Sequence, residues 1–139
     1  MRIGVPKEIK PQENRIGLTP ESVKTLVSEG HEVLVENNAG FEAGFDNDQY
    51  KNAGAKIIEK ATDIFNDSEI IVKVKEPQKI EVEMIRENQI VYTYLHLAAA
   101  KELTEGLVKS KSINIAYETI TDDNGRLPLL APMSAVAGR

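Results

Sequence analysis

Short runs of β-branched and aliphatic residues recur along this chain, and each gives way to a stretch with helical spacing. The runs fall at Arg2–Val5, Glu32–Glu36 and residues 55–58, 70–75, 89–95 and 112–117. Between them apolar residues stand three and four apart, as in Val23, Leu26 and Val27, or one turn apart, as in Leu103 and Leu107. That is the spacing of one helix face. Near-continuous apolar strands need cover on both sides, and right-handed strand–helix–strand crossovers supply it. The pattern predicts an α/β domain: a doubly wound, mainly parallel sheet with helices on both faces, flavodoxin-like in layout.

Punctuation residues place the elements more closely. Thr19, Pro20 and Glu21 form a helix start: a capping hydroxyl, a first-turn proline and an acid at the positive dipole end. Gly30 closes that helix. Residues 38–45 carry Gly40 and Gly44 and read as a loop. A short helix over 46–53 is capped by Asp46 and stops near Gly54. Ala61, Ile64 and Phe65 mark a third helix, Ile80, Met84 and Ile85 a fourth, and residues 101–109 a fifth. Asp122, Asp123, Asn124 and Gly125 signal a turn. A last helix begins near Pro132. No repeat or linker interrupts residues 1–139, so one domain is expected.

Composition removes several functions. The 139 residues include no cysteine, which excludes disulfides, thiolate zinc sites and a thiol nucleophile. Seventeen basic and 22 acidic residues leave a net charge of −5, a poor match for nucleic acid, which needs a concentrated basic surface. No apolar stretch approaches the ~18 residues of a membrane span, and the first residues lack a signal peptide's apolar core. The expectation is a cytoplasmic protein with no membrane partner. His31 and His96 are too far apart in sequence for a local metal motif, so no metal is expected. No Gly-x-Gly-x-x-Gly or Walker-type loop is present.

Open α/β sheets bind ligands at the carboxyl ends of their strands. That rule nominates Arg15 in the loop after the first strand, Lys75 at the end of residues 70–75, His96 after residues 89–95, and Glu118 after residues 112–117. Each alone has a plainer reading as a solvated or packed side chain. A shared rim changes the weighing. An arginine fork matches a carboxylate, a lysine ammonium polarises a keto oxygen, and an imidazole with an ordinary pKa of about 6.5 exchanges protons near neutrality. None of these groups accepts a hydride, so redox chemistry needs a cofactor.

The motifs MRIGVPKEIK (residues 1–10), ENRIGLTP (13–20), NAG with GF (38–40, 44–45), VKVKEP (72–77), YLHLA (94–98), AYET (116–119) and LAPMS (130–134) resemble the N-terminal, substrate domain of bacterial alanine dehydrogenases. The resemblance runs through essentially the whole chain. It implies reversible oxidative deamination of L-alanine to pyruvate and ammonium with NAD. It also implies roles: Arg15 for the substrate carboxylate, Lys75 for substrate contact, and His96 as proton donor and acceptor. Met133 and Ser134 would lie beside the nicotinamide, with Tyr94 and Glu118 near the pocket. The related transhydrogenase domain shares the opening pattern but generally lacks the segment around His96. Ala135 departs from the acidic residue usual in the family. Family chains are roughly two and a half times as long, with a Rossmann domain that this sequence lacks and, commonly, a hexameric assembly. The expectation is a homo-oligomer-forming substrate domain that binds no NAD stably and does not turn over alone. The alternative is a non-catalytic module that binds keto acids or associates with itself. A receiver-type signalling domain is set aside, because Pro6, Lys7, Glu8, Ile9 and Lys10 replace the acid cluster it needs after strand one.

Overall fold

The computed structural model describes residues 1–138; Arg139, the last residue of the expected domain, lies outside them. Six strands form one sheet: β1 (Arg2–Val5), β2 (Glu32–Glu36), β3 (Lys56–Ile58), β4 (Ile70–Val72), β5 (Ile90–Thr93) and β6 (Ile113–Ala116). All neighbours are parallel, in the order β3-β2-β1-β4-β5-β6. The helices are α1 (Pro20–Ser28), α2 (Asn47–Asn52), α3 (Ala61–Asp67), α4 (Lys79–Val82), α5 (Lys101–Ser110) and α6 (Leu130–Ala137). The α/β fold with an all-parallel sheet is the one the strand pattern predicts. The order keeps the doubly wound plan but carries one more strand, β3, beyond β2 than the flavodoxin-like layout expected from the sequence. Here the chain winds outward from β1 through β2 and β3, then returns to the other side of β1. Its switch point, and so its ligand crevice, lies at the carboxyl ends of β1 and β4.

Side chains alternate between two cores, as the pleat requires. Ile3, Val5, Val33 and Val35 pack with Val23 of α1 and Tyr50 of α2. Leu34, Ile71 and Val91 pack with Ile64 and Phe65 of α3 and Leu107 of α5. Each fully buried side chain of this size contributes about 1.5–3 kcal/mol. Gly4 faces α3, where a Cβ would run into the Ser68 side chain. That glycine lets the helix sit directly on the central strand.

Local signals hold at several ends. The Thr19 side chain accepts from the Ser22 amide, and Asp46 and Gln49 form a capping box. Gly30, at φ 93°, follows α1. Three expectations need correction. Residues 70–75 and 89–95 do not continue as strand to their ends: β4 stops at Val72 and β5 at Thr93. The Lys73 amide still donates to the Tyr92 carbonyl, but the Val74, Lys75 and Leu95 amides bond to carboxylates, as described below. The fourth helix is a single turn, and Ile80 is 60% exposed; its buried member is Glu81. Among the described residues no helix is long and apolar enough to cross a membrane.

Candidate functional site

The loop after β1 carries Arg15 and passes against the end of β4. Gly17 allows this: a Cβ there would lie 2.7 Å from the Val72 carbonyl oxygen. The arginine loop therefore rests on the backbone that leads to Lys75.

Glu8, three residues beyond β1, accepts from the Lys75 amide at 2.9 Å and the Val74 amide at 3.3 Å. It also takes the Lys73 ammonium at 3.0 Å, and that ammonium reaches Glu81 of α4 at 3.1 Å. All three side chains are at most 3% exposed. Two carboxylates around one ammonium leave an excess negative charge, and burial pushes the Glu81 carboxyl above the usual carboxylate range. Burial also raises Glu36, whose carboxylate accepts the Lys7 amide at 2.6 Å. This arrangement turns the chain out of β4 and carries Lys75 to the rim. There its ammonium lies 5.0 Å from the centre of the Tyr94 ring, within cation–π range.

β5 ends in a parallel way. Buried Glu118 accepts the Leu95 amide with both oxygens, at 2.9 and 3.1 Å. The next residue, His96, is in the left-handed region at φ 49°, ψ 48°. A non-glycine residue pays roughly 1–3 kcal/mol for such a conformation and keeps it only when its surroundings impose it. The exposed imidazole stacks with Tyr94, centroids 6.0 Å apart and planes within 17°. Tyr94 also meets Tyr117 at 6.4 Å. The Tyr117 hydroxyl donates to the Val74 carbonyl at 2.7 Å, and burial pushes its pKa up to about 12 despite the nearby Arg15 charge. It stays a proton donor at neutral pH.

Arg15 is 60% exposed in its side chain, yet it is held firmly. Glu13 accepts from its amide at 3.0 Å, its Nε at 2.9 Å and its Nη2 at 2.6 Å. Hydrogen bonding to Arg15 holds the Glu13 carboxyl below its ordinary range, and the Lys75 charge acts in the same direction.

The structure thus gathers Lys75 and His96 around the Tyr94 ring, while Arg15 is bound to Glu13, whose carboxyl also feels the Lys75 charge. Glu118 faces inward onto the backbone, below the rim. Met133 and Ser134 lie on α6, which packs on the turn Tyr117–Thr119 and has no buried residue. A hollow of about 390 Å³ opens on the Arg15 side, between Glu8, Lys10 and Glu13. A larger groove between α4 and α5 holds none of the candidate residues. Sequence reasoning missed Glu8, Glu13, Lys73, Glu81 and Tyr117. Lys73 had a legible signal, since a charge inside an apolar strand run needs a buried partner. Among the described residues no three His, Asp or Glu side chains gather to hold a metal.

Comparison with known proteins shows the family and the fold. The family described as "Alanine dehydrogenase/PNT, N-terminal domain" matches residues 4–137. The alanine dehydrogenase of Staphylococcus epidermidis is 52% identical over all 139 residues, which span 37% of that protein. A solved L-alanine dehydrogenase superposes with a TM-score of 0.96 at 52% identity, over 100% of this chain and 38% of the other. A transhydrogenase from Sinorhizobium meliloti gives a TM-score of 0.83 at 27% identity, over 89% of this chain and 35% of its own.

Proposed function

The chain belongs to the family of alanine dehydrogenase and PNT N-terminal domains, and from that premise we propose that it is the substrate-binding part of an NAD-dependent L-alanine dehydrogenase. The observation that carries this reading is the Lys75–Tyr94–His96 cluster at the switch point, with the Arg15 loop resting on the end of β4. Arg15 takes the carboxylate of L-alanine or pyruvate. Lys75 faces the keto oxygen and stabilises negative charge that develops there. His96 gives and takes the proton at that oxygen. Tyr94 fixes the spacing of the two bases by contact with both.

The redox part of the reaction needs NAD, and Met133 and Ser134 are the residues here assigned to its nicotinamide end. The chain spans 37% of the length of the Staphylococcus epidermidis relative; we place the dehydrogenase reaction in a cytoplasmic homo-oligomer. A second reading, self-association, is favoured by α6 and by Ile113 and Ile115 of β6, which are 51% and 37% exposed.

Calorimetric titration with pyruvate tests the binding assignment. Binding is expected, and Arg15→Lys weakens it about tenfold, because a point charge cannot replace a two-pronged fork. Equal affinity in that variant would remove Arg15 from the site. Following NADH absorbance with L-alanine and NAD should show no turnover by the chain alone; robust turnover would overturn that expectation. Light scattering after size exclusion separates a monomer from a self-associating module.

A further inference from the structure

Glu13 stands where a substrate carboxylate would be expected to compete, since it already binds the guanidinium of Arg15 through two bonds. The edge it uses decides the matter. Glu13 occupies Nε and one hydrogen of Nη2, the side of the guanidinium group. A planar guanidinium has a second two-donor edge, formed by Nη1 and the other Nη2 hydrogen. That edge has no protein partner among the described residues. Glu13 therefore fixes the plane of Arg15 while leaving its outer fork for a ligand. Its side chain is 7% exposed against 60% for Arg15, so the acid is the anchored member of the pair.

Charge gives Glu13 a second effect. It lies within the field of Lys75 as well as Arg15. Two cations and one anion leave a single positive charge for a ligand. Of the neighbouring charges, Lys10 pairs with Glu76 and Lys73 with Glu8, while burial opposes ionisation of Glu81, the second acid on Lys73. Lys7 and Glu42 border the hollow with opposite signs. A keto acid with one carboxylate balances that single charge. One with two carboxylates brings an extra negative charge next to Glu13.

The geometry assigns Glu13 as a specificity-determining residue: it orients Arg15 and restricts the site to keto acids with a single carboxylate. This rests on the keto-acid reading above. The test is calorimetric titration of the 139-residue chain with pyruvate, 2-oxobutyrate and freshly prepared oxaloacetate. 2-Oxobutyrate controls for size without added charge. The unmodified chain should bind pyruvate and 2-oxobutyrate, with oxaloacetate at least about tenfold weaker. Glu13→Gln keeps the shape and removes the charge. It should weaken pyruvate and move the oxaloacetate-to-pyruvate affinity ratio about tenfold toward oxaloacetate. Glu13→Asp keeps the charge but shortens the reach, so pyruvate should weaken a few-fold with the ratio unchanged. A ratio that stays constant in Glu13→Gln while pyruvate still binds overturns the assignment alone, as does an equal shift in Glu13→Asp. Tighter pyruvate binding in Glu13→Gln would make Glu13 a competitor and overturn its orienting role. No pyruvate response from a folded, unmodified chain overturns the keto-acid reading itself, and the assignment with it. A general loss of packing lowers all three affinities together and leaves the ratio in place.

Discussion

The exits of β4 and β5 solve one problem in two ways. Each strand must release its chain so that a candidate site residue, Lys75 or His96, stands at the rim. At both, a buried glutamate takes amides that the sheet would otherwise pair: Glu8 those of Val74 and Lys75, Glu118 that of Leu95. Their surroundings differ. Glu8 shares its charge with a buried ammonium and a second acid, whereas Glu118 has both oxygens on one backbone amide. The first exit is tied into α4 by ion pairs; the second relies on hydrogen bonding alone. Removing one partner from a closed ionic group leaves a bare charge behind. Removing a hydrogen-bonding acid leaves only an unpaired amide.

This difference predicts unequal sensitivity. Lys73→Met leaves two buried carboxylates without a cation and should cost about 3–5 kcal/mol, read as a lowered urea midpoint. A loss below about 1 kcal/mol would show that the group is not a closed ionic unit. Glu118→Ala strands the Leu95 amide and should cost about 1–3 kcal/mol. Hydrogen exchange at Leu95 should accelerate, and an unchanged rate would detach Glu118 from the His96 turn. Gly17→Ala pushes the arginine loop off Val72. A cost of about 1–3 kcal/mol is expected, together with weaker pyruvate binding from displacement of Arg15.

The smallest effect is a pH dependence confined to the first exit. Burial raises Glu81, so the folded state resists its ionisation. Stability from this group is complete below the ordinary carboxylate value and declines as pH rises through its higher folded value. Glu13, held low by Arg15, acts in the opposite sense: its contribution is present above the ordinary value and is lost as pH falls. Glu81→Gln should therefore flatten the decline on the less acidic side while keeping the Lys73–Glu8 pair. A denaturation series across mildly acidic pH reads this, and an unaltered slope would assign the decline elsewhere, Glu36 first.

Much of this architecture is legible in the chain itself. Short apolar runs separated by helical faces dictate strands and helices, because burial on two faces needs that alternation. Thr19, Asp46 and Gly30 mark helix ends through local bonding or backbone freedom, which nearby residues suffice to specify. The rule that ligands meet strand ends singled out Arg15, Lys75 and His96, and their position follows from strand order and direction.

What tertiary structure decided lies in partners far apart along the chain. The Val74 and Lys75 amides meet Glu8 across 66 and 67 positions, and the Leu95 amide meets Glu118 across 23. These bonds shorten β4 and β5 below their apolar extent. Propensity cannot report this, since an amide leaves a sheet only when a better acceptor is brought to it. Ile80 shows the same limit: helical spacing placed it inward, but the ionic group draws Glu81 in and turns Ile80 to solvent. Sequence alone determined which elements form and which residues stand at the rim. The fold decided which acids hold them there, because desolvated charges take their partners from three-dimensional proximity.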